Sequence, residues 1–246
     1  MEGVFPLSAE LTASVTPPRA LIFDWDDTIT NNWWRVLLSM NKTLAQLGHP
    51  EWTDEEALRR LGPSARDLFP AVFGQERAQE ASDLYYSFID ELKGEGPRIC
   101  DGAVEAVKAL AETPLYLAVL SNKRADALRA EVALVGLSDC FSCIVGAGDA
   151  AEDKPGRAAV EKALESSQGI VPGRDVWFIG DSHIDMQCAH FNGLTAVLVE
   201  TKPPPEEMLE DFYPHLRFTG CKDLSSHIFK TFFQDFDLPF LQSRCT

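Results

Sequence analysis

The stretch ALIFDWDDT, residues 20–28, places a short apolar run directly before Asp24, Asp26 and Asp27. A run this short and this uniformly apolar reads as a strand covered on both faces, the kind found in parallel sheets. Acids at the end of such a strand are costly to bury unless something uses them. In extended chain, side chains two residues apart point the same way, so Asp24 and Asp26 address one site. Open parallel sheets bind ligands in the crevice at the carboxyl ends of their strands.

Four further runs share this character: LYLAVL (115–120), FSCIVGA (141–147), VWFIGD (176–181) and TAVLV (195–199). Gly102 to Glu112, Ala125 to Val135, Gly156 to Ser166 and Ile184 to Phe191 carry apolar residues at helical spacing. Strands alternating with helices predict a doubly wound α/β core of the Rossmann-like kind. One interval breaks the alternation. About ninety residues separate the first two strands, far more than one crossover helix requires. They hold only helical patterns: Trp34 to Leu47, Thr53 to Leu61, a segment from Ser64, and Gln75 to Lys93. Thr53 with Glu56, and Ser64 with Asp67, have the spacing of capping boxes. The interval closes on Gly94-Glu95-Gly96-Pro97, a natural linker. Residues 34–97 are therefore expected to form an inserted helical cap. Residues 20–33 and 98–246 form the core, and the Ser/Thr/Pro-rich residues 1–19 a flexible arm.

The length of 246 residues suits one sizeable core with a smaller accessory domain. No apolar run approaches the roughly 18 residues of a membrane helix, and the N-terminus lacks the pattern of a signal peptide. A cytoplasmic protein with no membrane partner is expected. A formal charge of −16 argues against nucleic acid. It also repels anionic ligands, so a phosphate site would need cations of its own. The six cysteines include Cys140-x-x-Cys143, which has the spacing of a redox or zinc pair. No second close pair accompanies it, and buried inert thiols are the better reading.

The other strand ends carry chemistry too. The second reaches Ser121-Asn122, the third is followed by Asp153-Lys154-Pro155, and the fourth delivers Gly180-Asp181, with Asp185 one turn further on. Several carboxylates cannot stay ionised together in a partly dry cleft without a cation. Hard oxygen ligands at this density suit Mg2+, and Lys154 adds a fixed positive charge.

Asp-Trp-Asp-Asp-Thr, Leu-Ser-Asn, Lys-Pro and Gly-Asp-Ser-His-Ile-Asp, in this order and each at a strand end, resemble the four motifs of the haloacid dehalogenase-like hydrolase superfamily. A helical insert between the first two motifs is similar to the branch of phosphoglycolate phosphatase and β-phosphoglucomutase, and Val-Leu-Ser-Asn-Lys is closest to the former. The resemblance implies strand order 3-2-1-4-5 and a magnesium-dependent phosphatase acting on a small phosphorylated metabolite. It implies Asp24 as nucleophile, Asp26 as acid and base, and Lys154 as a charge-balancing catalytic residue. Ser121 and the Asn122 backbone would hold the phosphoryl group, while Thr28 reads as a further phosphate-site hydroxyl or as a turn cap, with the former favoured. Asp24, Asp26 (through its backbone carbonyl), Asp181 and Asp185 would serve the metal. An acid at position 26 sides with phosphoryl transfer, since dehalogenases lack it. A phosphomutase on the same machinery is the alternative, and a non-catalytic interaction protein a second. Substrate identity and oligomeric state stay open.

Several residues have competing readings. Gly146 to Ala151 imitates a dinucleotide fingerprint, but the acids and proline that follow disrupt the helix it requires. Arg66 lies where related caps carry a specificity loop and is a candidate for the substrate's non-reacting end. Trp33 and Trp34 either touch substrate or pack the joint between core and cap, with packing favoured. His183 reads as loop structure, and the Phe-rich tail from His227 to Phe240 as a segment docked on the core.

Overall fold

Strand β1 (Ala20–Phe23) runs through the centre of a parallel sheet, flanked by β2 (Tyr116–Arg124) and β4 (Val176–Gly180). In this computed structural model, residues 15–92, 94, 96–201 and 204–234 are described. The remaining strands are β3 (Cys143–Ala147), β5 (Thr195–Val199) and β6 (Leu216–Phe218), giving the order β3-β2-β1-β4-β5-β6. The first five strands take the expected order. The sixth was not anticipated, because three residues carry too little pattern to separate a strand from a loop.

The continuous apolar runs are explained by two cores, one on each face of the sheet. Leu21, Phe23, Trp177 and Ile179 point to one side. There they meet α5 (Ala103–Ala111), α6 (Ala125–Leu134) and α9 (Cys221–Phe232) through Val107, Leu128, Val132, Leu224 and Ile228. Ala20, Ile22 and Phe178 point to the other side and pack on α7 (Arg157–Ala163) and α8 (His183–Phe191) through Val160, Met186 and Ala189. Each large apolar side chain so buried contributes about 1.5–3 kcal/mol. That is why both phases of the strand alternation are apolar.

Between β1 and β2 lie α1 (Trp33–Gln46), α2 (Asp54–Arg60), α3 (Ala65–Phe73) and α4 (Ala78–Glu91), with α5 following before β2. Met40, Leu44, Phe69 and Phe73 form a third apolar cluster, distinct from the two on the sheet. The capping box at Thr53 forms as expected, with Glu56 N–H donating to Thr53 Oγ1 at 3.2 Å and Thr53 N–H to Glu56 Oε2 at 2.9 Å. The one at Ser64 does not. Asp67 instead accepts the Ser64 hydroxyl directly at 3.0 Å.

Order begins earlier than Ala20. Trp177 Nε1–H donates to the Thr16 carbonyl at 3.0 Å, and Val15 packs on the core, so residues 15–19 are no loose arm. Residues 1–14 lie outside those described. The tail docks as expected as far as it is described: Phe229 is buried, and Phe232 sits edge-on to Trp177 at 5.8 Å. Residues 235–240 of that stretch, and Cys245, fall outside. Cys140 and Cys143 are free and half-buried rather than buried, with thiol pKa values pushed up by desolvation.

Gly146, the first glycine of the false fingerprint, has a packing role. A Cβ there would lie 2.4 Å from the Ala125 Cα, where α6 begins. Gly146→Ala is expected to force β3 and α6 apart and cost about 1–3 kcal/mol, measured by urea unfolding.

Candidate active site

The backbone ladder of β1 runs right up to the first acid, since Asp24 N–H donates to the Ile179 carbonyl at 2.8 Å. Asp24 is thereby fixed at the strand's carboxyl end, only 5% exposed. Lys154 reaches it from the loop after β3. Its Nζ lies 2.5 Å from Asp24 Oδ1 and 2.7 Å from Asp185 Oδ1, so one ammonium joins two carboxylates. The Asn122 side chain locks the lysine's backbone, accepting from Lys154 N–H at 2.9 Å and donating to the Lys154 carbonyl at 3.1 Å. Asp153 steadies the same loop by accepting from Gly148 N–H at 2.9 Å.

Asp185 sits in the first turn of α8 and is fully buried. Its Oδ2 accepts from the Ser182 N–H at 3.1 Å and the Ser182 hydroxyl at 2.5 Å, which satisfies the helix start. Gly180 makes room for it, because a Cβ at that position would stand 2.3 Å from Asp185 Cγ. Asp181, also buried, accepts the Thr28 hydroxyl at 3.4 Å.

Carboxylate oxygens of Asp24, Asp181 and Asp185 lie within 4.8 Å of one another, all in buried side chains. Burial, together with Asp27, Asp185 and Asp24, pushes the Asp181 carboxyl well above the ordinary range. Burial likewise raises Asp24, to about 7, although Lys154 opposes it. Burial also works against the Lys154 ammonium, but Asp185 and Asp24 outweigh it and keep the lysine charged. Three acids against one lysine leave excess negative charge in a dry pocket. The donor set therefore fits a hard divalent cation bound through oxygen.

Asp26 is held by a second network. Asn32 Nδ2 donates to its Oδ1 at 2.6 Å, the Thr30 hydroxyl to the same atom at 3.4 Å, and Lys123 Nζ to both oxygens at 2.9 and 3.2 Å. Burial opposes the charge, but Lys123 and Asn32 outweigh it and hold the Asp26 carboxyl below its usual range. Lys123 also pairs with Glu131 of α6 at 3.0 Å. Glu131 in turn accepts from Trp25 Nε1 at 2.9 Å and Arg35 at 3.4 Å. Asp27 turns the chain at φ 61° and accepts the N–H groups of Asn32 and Trp33, each at 3.0 Å.

Asp24, Asp26, Ser121, Asn122, Lys154 and Asp181 line a single cavity of about 190 Å³ between the sheet edge and helices α1–α4. Asp185 and Thr28 join it through Lys154 and Asp181. Arg66 does not. Asp153 captures its guanidinium at 3.0 Å, and it lines a separate depression on the outer side. Trp33 borders the cavity, its indole N–H held by Asp54 at 2.7 Å. Trp34 stacks under the Arg98 guanidinium at 4.4 Å. His183 packs against Gly62, and burial pushes its pKa down. Lys123, Asn32, Arg35 and Glu131 were missed by the sequence reading. Lys123 carried one usable signal, its place directly after Ser121-Asn122.

Fold and site together define a doubly wound α/β protein whose strand ends hold a lysine-bridged set of carboxylates under a helical insert. A family model described as haloacid dehalogenase-like hydrolase matches residues 21–199. The chain is 30% identical over 196 residues to the phosphoglycolate phosphatase of Rhodospirillum rubrum, covering 74% of this chain and 79% of that protein. It is 25% identical over 208 residues to the pyrophosphatase PpaX of Anoxybacillus flavithermus, covering 85% and 95%. A solved hydrolase structure from Pseudomonas syringae shares the fold, with TM-score 0.75 at 20% identity, covering 86% and 98%. The chain belongs to the haloacid dehalogenase-like hydrolases, in their phosphoglycolate phosphatase-like branch.

The Lys123 network makes a stability prediction. Lys123→Met takes from Asp26 its ammonium partner and leaves Glu131 with Arg35 alone as counter-charge, in a largely buried setting, and is expected to cost about 3 kcal/mol. Arg124→Met, which breaks an exposed pair with Asp126, should cost less than about 1 kcal/mol. Urea unfolding of both variants checks the contrast.

Proposed function

We propose that the chain is a magnesium-dependent phosphatase that hydrolyses a small phosphomonoester through an aspartyl-phosphate on Asp24. The observation that carries this reading is the Asp24 carboxylate at the end of β1, bridged by Lys154 and within 4.8 Å of Asp181 and Asp185. In the first half-reaction an Asp24 oxygen attacks phosphorus, the ester P–O bond breaks, and Asp26 gives its proton to the departing oxygen. The incoming phosphate dianion favours the protonated form of Asp26 that this step needs. In the second half, water attacks phosphorus, Asp26 takes its proton, and phosphate leaves with Asp24 restored. Lys154 offsets charge on Asp24 and on the transferring group.

Asp24, Asp181 and Asp185 would hold the ion, together with the Asp26 backbone carbonyl. When bound, Mg2+ supplies charge neutralisation for the phosphoryl oxygens. Ser121 and the Asn122 backbone are assigned to those oxygens, and Thr28 to support of Asp181. Residues 34–97 act as the cap that shuts water away, hinged at the two crossings into the core.

Phosphate release from p-nitrophenyl phosphate is expected to require Mg2+ and to disappear with a chelator. Asp24→Asn should lower kcat by about 10³-fold or more, roughly 4 kcal/mol of barrier, with an unchanged circular dichroism spectrum. Equal turnover by wild type and Asp24→Asn would rule out the nucleophile. Binding is tested separately by heat: Mg2+ at about a hundred times its Kd should stabilise the wild type by about 2.7 kcal/mol. A rise of the same size in Asp181→Asn would remove Asp181 from the ion's shell.

A further inference from the structure

We propose that the group released from the phosphoester is an uncharged, largely apolar alcohol, which sets this chain's substrate apart from phosphoglycolate and pyrophosphate. The proposal rests on the phosphatase reading above. Away from the carboxylates, the cavity wall is built by Met40, Leu58, Leu61, Phe69, Tyr85 and Ile89 of the helical insert and its connections. Met40 and Phe69 belong to the insert's own packed cluster, and Tyr85 packs edge-on to Phe69 at 5.5 Å. This wall is backed by core and has little freedom to exchange a methyl or ring face for a polar one.

A carboxylate or second phosphate held against such a wall loses water and gains nothing unless a cation meets it. Among the described residues, four cations line the cavity, and each is already committed to an acid. Lys154 serves Asp24 and Asp185 at 2.5 and 2.7 Å. Lys123 serves Asp26 and Glu131 at 2.9 and 3.0 Å. Arg35 gives one nitrogen to Glu131 at 3.4 Å and another to the Gly96 carbonyl at 2.6 Å. Arg124 faces Asp126 at 2.5 Å. Arg66 is outside, held by Asp153. Asp90 adds an acid to the same lining, and the chain as a whole carries −16.

Among the described residues that line the cavity, a second anionic end would therefore meet no lysine or arginine that is not already paired with an acid. The polar capacity left over suits neutral groups. Arg35 Nε and Asn32 Oδ1 are buried without a partner; the first can donate to an alcohol or ester oxygen, and the second can accept from a hydroxyl. The rest of the wall suits a ring or branched alkyl group.

The test compares kcat/KM for benzyl phosphate, 2-phosphoglycolate and inorganic pyrophosphate with Mg2+ and the wild-type chain. Benzyl alcohol and glycolate leave with comparable ease, so their comparison reports the cavity rather than the chemistry. Benzyl phosphate should be favoured by at least about tenfold over each anionic substrate. Equal or better turnover of 2-phosphoglycolate or pyrophosphate overturns this inference and leaves the phosphatase reading standing. Absence of Asp24-dependent hydrolysis of all three overturns that reading, and this inference with it. Leu58→Lys, which adds an unpaired ammonium to the wall, should narrow the ratio of benzyl phosphate to 2-phosphoglycolate by at least about tenfold. An unchanged ratio in the folded variant also overturns the inference. Should that variant fail to fold, the wild-type comparison decides alone.

Discussion

One buried ammonium holds the site together. Lys154 is 3% exposed and sits between Asp24 and Asp185, neither of which reaches water to any extent. Without it, three carboxylates would face one another in a low-dielectric crevice, where like charges repel strongly and ionised forms are disfavoured. With it, two of the three have a hydrogen-bonded counter-charge, and Asp181 is left as the acid most in need of a cation. The lysine is placed by backbone hydrogen bonds to Asn122 and not by its own flexible stem. The positions of β2, β3 and the loop between β3 and α7 are thus tied to one nitrogen atom.

The same asparagine couples the core to the insert. Asn122 Nδ2 also donates to the Gly62 carbonyl at 2.8 Å. Gly62 has φ +142°, and a Cβ there would meet His183 Cε1 at 3.2 Å. Strand end, lysine loop, insert and the start of α8 therefore meet around one side chain and one glycine. Arg35 makes a parallel connection on the other side, from α1 to the Gly96 carbonyl and to Glu131 on α6. Those two ties define how the helices sit over the strand ends, and hence the shape of the cavity between them.

The strand-end acids were legible because each breaks an apolar run at a position where an unpaired charge would be costly, so chemistry is the economical explanation for its presence. Asp24, Asp26 and Asp181 carried that mark, and Asp185 stood one turn further on in the following helix. In the Lys123–Glu131–Arg35–Asn32 network only Lys123 carried any signal, its place directly after Ser121-Asn122. Glu131 lies in a helical pattern where an acid normally reads as solvated, and only the packing of α6 on the sheet brings it within 2.9 Å of Trp25. Arg66 shows the reverse situation, a residue singled out in the sequence that lies outside the cavity lining. Its position suggested the substrate, but Asp153, part of the same loop that carries Lys154, captures it first.

Family resemblance supplied the order of the first five strands; the sequence by itself determined the alternation of strands and helices, the helical stretch between the first two strands and the acids at the strand ends. These follow from local periodicity and from the cost of burying charge, both of which are properties of short segments. Tertiary structure alone decided which cations are spent on which acids, that β6 extends the sheet, and that the cavity's far wall is apolar. Ion pairing and cavity lining depend on distances between residues on different elements, 97 positions apart for Lys123 and Asp26 and 130 for Lys154 and Asp24, and no spacing within a segment encodes them.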